Sequence, residues 1–200
     1  NVHSICQNVR MRTKPASSYH HGDLRSALIE GALRALRDAP PDALSLRAVA
    51  RAAGVTANAP YRHFADKESL LAAAAEEGFR RLAAACRRPK GSPRKRLEGM
   101  SAAYLAFAAE NPQLYALMFG PVIRDWERHE SLVAAGNESF GVLVEAVAQA
   151  KGVNAETAVT DAVVLWSTVH GYATLAADGA LECCPAKLLP KPAQLVRLAR

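Results

Sequence analysis

The sequence predicts an all-α protein, with a three-helix N-terminal unit, a C-terminal helical bundle and about nine helices in total. Three observations support this prediction. Apolar residues recur at spacings of three and four through most of the chain. Helix-capping residues such as Ser45 and Asp66 stand just before these stretches, and no strand-like alternation occurs in residues 97–200.

Composition and charge bound the function. The 200 residues are half apolar, which suits one or two compact domains with a sizeable core. Residues 1–96 carry 18 Lys and Arg against 8 Asp and Glu, whereas residues 97–200 carry 7 against 11. A basic half joined to a mildly acidic half is typical of a nucleic-acid-binding module attached to a different kind of domain. A solvated surface that binds no partner would show the same numbers of charged residues. We favour the interpretation that the basic half binds nucleic acid.

No feature of the chain predicts a membrane, a metal or another cofactor. There is no run of about 18 apolar residues, and residues 1–10 lack the apolar core of a secretory signal. The adjacent His20 and His21 have no third ligand beside them. The cysteines lack metal-ligand spacing and disulfide density, so a reducing cytoplasm is the expected location. They are Cys6, Cys86, Cys183 and Cys184.

Residues 1–22 are polar, turn-prone and basic, with Arg12 and Lys14, and are predicted to form a flexible arm. Such an arm lies on phosphates, enters a minor groove or remains a frayed terminus, which is the commoner outcome. From Asp23, a natural cap, apolar residues at helical spacing predict a first helix that ends within residues 38–41.

The stretch 45–70 contains two short helices and the start of a third. Gly54 ends the first of these helices, because glycine reaches positive φ without a Cβ clash. Either Thr56 or Asn58 caps the second, and Pro60, tolerated only in a first turn, fits Asn58 more easily. Two helices joined by a tight turn form the helix-turn-helix that lays one helix in the major groove of DNA, although similar hairpins serve plain packing.

This stretch, SLRAVARAAGVTANAPYRHFADKESL, resembles the DNA-binding segment of the TetR family of bacterial transcriptional regulators. Members of that family read like LRAVAxxAGVSxxAPYRHFxDKExLL, and the resemblance is strong from Asp23 to about Leu71. It implies double-stranded operator DNA as a partner. Implied contacts with the DNA backbone come from Arg47, Thr56, Tyr61, His63 and Lys67. Contacts with bases are assigned to Ala57, Asn58 and Arg62 at the exposed start of the second helix.

Asp66 caps a long helix that is predicted to continue to about Arg88, roughly 33 Å at 1.5 Å per residue. This helix would connect the DNA-binding unit to the second half of the chain. The basic run 87–96, RRPKGSPRKR, contains two prolines, a glycine and a serine, and is predicted to be a solvated linker rather than a second phosphate-binding patch.

The second half is predicted to be helical throughout and to hold a ligand. Its string WSTVHGYATLAADG resembles the Trp-His-Gly signature of one type of TetR C-terminal domain, in which the bundle encloses a small-molecule cavity. Core packing is the alternative role for the aromatic residues here. The predicted pocket residues are Phe79, Tyr104, Phe107, Tyr115, Met118, Phe119, Trp166 and His170. The predicted helices span 97–111, 112–120, 131–151, 154–177 (from Asn154 or Ala155) and 190–200.

These observations predict an arm at 1–22, a DNA-binding domain at 23–68 and a ligand-binding and dimerisation domain at 69–200. The resemblance implies a homodimer built from the last two long helices. The leading hypothesis is a dimeric repressor released from its operator by an unidentified small-molecule inducer. The alternative is a DNA-binding regulator without a ligand, gated by a protein partner or by oxidation of Cys183 and Cys184. An enzyme is not expected, because paired carboxylates, a nucleophile elbow, a P-loop and a metal motif are lacking.

Overall fold

The computed structural model describes residues 21–198, and the predicted all-α fold is confirmed. These residues form eight α-helices and no strand, close to the predicted number of helices. One-turn 3-10 helices lie at Pro41–Ala43, Pro60–Arg62, Trp126–Arg128 and Ala186–Leu188. The α-helices are α1 His21–Ala35, α2 Leu46–Ala52, α3 Lys67–Arg87, α4 Pro93–Glu110, α5 Pro112–Phe119, α6 Glu130–Lys151, α7 Ala155–Ala177 and α8 Pro192–Leu198.

Three helices begin at side-chain caps, and the sequence predicts two of these caps, Ser45 and Asp66. The Ser45 hydroxyl accepts a hydrogen bond from the backbone N–H of Ala48 at 3.1 Å. The carboxylate of Asp66 accepts one from Ser69 at 2.7 Å, and the side chain of Asn154 accepts one from Thr157 at 2.8 Å. Each bond satisfies one of the free donors in the first turn of a helix.

The first helix and the linker depart from the prediction. Helix α1 begins at His21, two residues before the expected cap, and residues 1–20 of the predicted arm lie outside the described residues. The linker predicted over 87–96 is shorter than expected, because α4 already begins at Pro93. Ser92 caps this helix and Pro93 occupies its first turn, where a missing N–H costs nothing. The predicted solvated linker therefore contributes Arg94, Lys95 and Arg96 to a helix.

The second helix of the predicted helix-turn-helix is a single 3-10 turn, Pro60–Arg62, preceded by tight turns. The N–H of Ala59 donates to the carbonyl of Thr56 at 3.0 Å, and that of His63 donates to Pro60 at 2.9 Å. Ala59 precedes the 3-10 turn and no side chain caps it, so neither of the two expected caps is used. Pro60 explains the short element, since it has no N–H to continue an earlier helix through this position.

One hydrophobic core joins the N-terminal helices to the rest of the molecule. Helix α3 lies at its centre and contacts α1, α4, α5 and α6, with 11 of its 21 residues buried. Helix α8 packs on α4 and α7 through the buried Leu195. Within residues 21–198, no helix has both the length and the apolar character needed to cross a membrane.

Candidate nucleic-acid interface and internal cavity

The helix-turn-helix segment is held against α1 by a close approach of two backbones. A Cβ atom at Gly31 would lie 3.3 Å from the carbonyl oxygen of Val49, tighter than most packed contacts. Gly54 has a φ of 70°, the left-handed conformation that glycine adopts without strain, and it turns the chain after α2. The ring of Phe64 is buried, and the guanidinium of Arg25 lies 5.5 Å from its centre. These contacts fix one side of the segment and leave the other side in solvent.

Six of the eight predicted DNA-contact residues are exposed. Tyr61 is 52% exposed, which is unusual for a large ring and leaves its hydroxyl free to reach a partner. The other five exposed residues are Arg47, Thr56, Ala57, Asn58 and Arg62. They lie within 16 consecutive positions and supply two guanidinium groups.

The remaining two predicted DNA-contact residues are half-buried. Lys67 donates from its ammonium to the backbone carbonyl of Asp42, which joins the start of α3 to the turn before α2. His63 has its Nε2 atom out of contact with solvent and lies beside Phe64 in a small polar cavity of about 170 Å³. Lys67 is therefore tied to the backbone before α2, and His63 points toward the interior of the protein.

The small cavity lies where the helix-turn-helix segment, α3 and the start of α6 meet. Glu76 is only 5% exposed there, accepts a hydrogen bond from the Ser131 hydroxyl at 2.9 Å and pairs with Arg80. Nearer the start of α3, Nε2 of His129 lies 3.7 Å from a carboxylate oxygen of Glu68. Sequence reasoning missed this cluster. The sequence feature that could have indicated it is Glu76, the carboxylate that follows the four alanines at positions 72–75 in α3.

A larger cavity of about 450 Å³ lies between α3, α4, α5, α6 and α7. Five of the eight predicted pocket residues line it: Phe79, Tyr104, Met118, Phe119 and Trp166. Phe107, Tyr115 and His170 do not line it. Phe107 is buried in the core, while Tyr115 and His170 contact Tyr104 away from the cavity wall.

Sequence reasoning missed the contribution of α6 and of the loop before it. Val133, Gly136, Phe140 and Leu143 recur at helical spacing on α6 and line the cavity, and Trp126 lines it from the 3-10 turn before that helix. The spacing on α6 was visible in the sequence. What periodicity cannot show is whether an apolar stripe meets another helix or a void.

The hydroxyl of Tyr104 belongs to a buried hydrogen-bonding cluster behind the cavity wall. It lies 2.8 Å from Nδ1 of His170, and the Tyr115 hydroxyl lies 2.7 Å from the same nitrogen. Nε1 of Trp166 donates to Tyr104 at 3.4 Å. Burial raises the pKa of both tyrosines and lowers the pKa of His170, so all three groups are neutral at pH 7. The cluster fixes the orientation of Tyr104 without placing a charge next to the cavity.

Edge-on aromatic contacts make the rest of the wall rigid. The ring of Phe79 lies 5.3 Å from that of Phe119 and 5.7 Å from that of Trp126, at interplanar angles of 78° and 75°. The rings of Phe140 and Trp166 are tilted at 54° to each other, with centroids 5.7 Å apart. Such geometry is favourable for aromatic pairs and limits rotation of the side chains.

The wall of the large cavity offers packing and hydrogen bonds rather than charge. It contains no Asp, Glu, Lys, Arg or His. Burial raises the pKa of its one thiol, Cys86, to about 11, so the thiolate is scarce at neutral pH. Among residues 21–198, no group of three or more His, Cys, Asp or Glu side chains is arranged to hold a metal ion.

Two family profiles match the chain. Residues 28–74 match the profile described as bacterial regulatory proteins of the tetR family, and residues 97–196 match one described as a tetracyclin repressor-like C-terminal domain. The chain belongs to the TetR family of transcriptional regulators. The first match covers the helix-turn-helix segment. The second covers most of α4, all of α5 to α7 and most of α8, and these helices supply most of the cavity wall.

Solved structures share this fold. A protein of unknown function from Rhodococcus sp. RHA1 is 37% identical, with a TM-score of 0.69 over 92% of this chain and 95% of that one. The TetR family transcriptional regulator PfmR from Thermus thermophilus is 17% identical, with a TM-score of 0.59 over 86% and 94%. The fatty acid degradation regulator FadR from Bacillus halodurans is 15% identical, with a TM-score of 0.62 over 90% and 94%. These last two show a shared fold. A comparison with curated proteins found no significant match.

Proposed function

We propose that this TetR-family protein is a dimeric repressor that binds operator DNA and leaves it when a small-molecule inducer occupies the large cavity. One observation carries the proposal: the exposed helix-turn-helix segment leads directly into α3, and residues of the same helix line the cavity. The last 3-10 turn of the segment ends five residues before α3 begins, and Phe79 of the same helix lines the cavity. A bound molecule that favours one position of α3 over another would therefore change where the DNA-binding segment lies.

The DNA side of the proposal rests on the six exposed residues between positions 47 and 62. Tyr61, Thr56 and Arg47 are suited to phosphate oxygens, which set register without reading sequence. Asn58 and Arg62 have the donor and acceptor patterns that pair with adenine and guanine edges in the major groove. Ala57 is small enough to allow close approach to the bases.

In this proposal, the contacts of Glu76 transmit a structural change from the large cavity to the helix-turn-helix segment. This residue lies one turn before Phe79 on α3, and it holds Ser131 at the start of α6. Helix α6 supplies much of the cavity wall, so a ligand that shifts α6 against α3 would strain this hydrogen bond. His63 and Phe64 lie in the same small cavity as Glu76 and Ser131, directly behind the DNA-facing side.

The dimer rests on apolar side chains that α7 leaves in solvent. Val159, Val163, Val164 and Leu175 are each between 41% and 48% exposed on this one helix. A second copy is the occupant that DNA binding requires, because a palindromic site presents two half-sites about 34–36 Å apart. We place the protein in the bacterial cytoplasm, where operator DNA is accessible.

A second candidate has an observation in its favour. Cys183 and Cys184 are exposed, and their sulfur atoms lie 3.7 Å apart in the segment after α7. Oxidation of this pair, or a protein partner, would then gate DNA binding without a small-molecule ligand. The double variant with both cysteines changed to serine separates the two mechanisms, since it abolishes release by an oxidant and leaves release by an inducer intact.

The DNA assignment is tested by selecting bound sites from random DNA and measuring affinity by fluorescence anisotropy. Tyr61→Ala should weaken binding to every sequence alike. Asn58→Ala should lose about 1–3 kcal/mol of discrimination at one position of the half-site. Arg62→Ala is compared with Arg124→Ala, which removes another exposed arginine from the other half of the chain. The assignment would be refuted if the Arg62 and Arg124 variants bound DNA equally well and the Tyr61 and Asn58 variants kept the affinity of the wild type.

A further inference from the structure

The wall of the large cavity excludes charged ligands by its composition. The lining side chains are apolar, aromatic or neutral polar, and none carries a charge at pH 7. A carboxylate or ammonium group placed inside would lose its hydration without gaining a counter-charge. The cavity volume of about 450 Å³ is within the range of small-molecule sites. The cavity therefore encloses a whole ligand, and every part of that ligand lies in uncharged surroundings.

The shape of the wall favours a ligand with rings. Six aromatic side chains line the cavity: Phe79, Tyr104, Phe119, Trp126, Phe140 and Trp166. They come from α3, α4, α5, α6, α7 and the turn before α6, so each element of the wall contributes an aromatic ring. Stacked and edge-on contacts with such surfaces stabilise aromatic and other ring-containing molecules.

One polar group in this wall lacks a hydrogen-bonding partner among the described residues. Ser101 lies on α4, is only 4% exposed and lines the cavity. Among residues 21–198, its hydroxyl makes no hydrogen bond. It does not even bond to the backbone carbonyl one turn earlier in its own helix, as the Thr168 hydroxyl does with Val164 on α7 at 2.9 Å. Buried hydroxyl groups normally have a partner.

The neighbouring polar groups are already satisfied or lie toward solvent. Tyr104, one turn along the same helix, accepts from Trp166 and lies within hydrogen-bonding distance of His170. Asn137 on α6 is exposed, so water reaches it, and Ser139 is only half-buried. Ser101 is therefore the buried position at which a ligand gains a hydrogen bond that residues 21–198 do not supply.

We propose that the cavity binds a neutral, mainly apolar, ring-containing molecule whose single hydrogen-bonding group pairs with the hydroxyl of Ser101. The ring system packs among the aromatic side chains, and the polar group, a hydroxyl or a carbonyl, points toward α4. This assignment deepens the proposed function, because it names the class of inducer that the same cavity takes.

Four probes that share one ring system test the proposal by isothermal titration calorimetry at pH 7. They are naphthalene, neutral 2-naphthol, anionic 2-naphthoate and cationic 2-naphthylmethylammonium. We expect 2-naphthol to bind most tightly and the two ions most weakly. Ser101→Ala should lower the affinity for 2-naphthol about tenfold and leave that for naphthalene unchanged, because only the hydroxyl-bearing probe loses a hydrogen bond.

Ser139→Ala is the matched control, since it removes a second serine from the same wall and should leave all four affinities unchanged. Tighter binding of either ion, an equal loss for naphthalene and 2-naphthol in the Ser101 variant, or no binding of any probe would overturn the proposal. Release of the selected DNA by 2-naphthol is measured separately. Binding in the expected order without release of DNA would leave this assignment standing and would contradict the inducible-repressor function.

Discussion

At the scale of single residues, Asp66 caps α3 four residues after the Pro60–Arg62 turn. Its carboxylate accepts from the backbone N–H of Ser69 at 2.7 Å and from the Ser69 hydroxyl at 2.8 Å. We expect Asp66→Ala to lower the free energy of unfolding by about 1 kcal/mol at pH 7, because a helix donor loses its cap. Asp66→Asn, which keeps a capping oxygen, should retain most of the stability in the same urea titration.

The same residue predicts a pH dependence with a definite sign. Hydrogen bonds from Ser69 lower the pKa of Asp66 in the folded protein, so the unfolded chain binds the proton more readily. The stabilising effect of the charge is therefore complete above about pH 4 and is lost as the pH falls further. The stability difference between wild type and Asp66→Ala should narrow from pH 7 to pH 3, and a constant difference would contradict this account.

At the scale of helices, Gly78 sets how closely α3 and α5 approach. A Cβ atom there would lie 2.6 Å from Sδ and 3.0 Å from Cγ of the fully buried Met118, and 3.1 Å from Leu114. Overpacking of this kind costs about 1–3 kcal/mol, more than the roughly 1 kcal/mol that alanine gains over glycine in a helix. We expect Gly78→Ala to lower the free energy of unfolding by up to about 2 kcal/mol.

Gly141 on α6 is the matched control for that substitution. A Cβ atom at this position meets nothing within 4 Å, so only the gain in helix propensity remains. Gly141→Ala should therefore stabilise the protein by up to about 1 kcal/mol in the same chemical denaturation. Stabilisation by both substitutions would show that α3 and α5 are free to move apart, against the close packing described above.

The helices also show what the sequence could and could not predict. Caps act within one turn, so the starts of α2 and α3 followed from Ser45 and Asp66, and the start of α7 was predicted at Asn154 or Ala155. The single 3-10 turn at Pro60 and the early start of α4 depend on how prolines are accommodated, and the family resemblance did not show this. Which buried side chains border the cavity depends on the packing of five helices.

The pocket residues illustrate that last limit. Phe107 and Phe119 are both predicted pocket residues, yet only Phe119 lines the cavity, while Phe107 is buried in the core. His170 shares a helix face with Trp166 but contacts Tyr104 and Tyr115 instead of the cavity. Helical spacing identifies a face that will be buried. The shape left between several such faces is a property of the tertiary structure.

At the scale of the whole molecule, the exposed apolar side chains of α7 predict how two copies associate. Val163 lies within the group of exposed apolar residues on that helix. A glutamate at this position would bury two like charges across a symmetric interface, which neither packing nor hydrogen bonding offsets. We expect Val163→Glu to be a monomer by light scattering and to bind a palindromic site at least about tenfold more weakly, because the two DNA-binding units no longer act together.

Ala106→Glu supplies the control, since Ala106 is an exposed position within a long helix, on α4 rather than α7. This variant should remain dimeric and keep its affinity for DNA, while both variants keep the helical circular dichroism of the wild type. A Val163→Glu protein that is still dimeric and binds the palindrome normally would place the interface elsewhere. It would also mean that the apolar residues of α7 are covered by some other partner, because four such side chains on one helix are costly to leave in water.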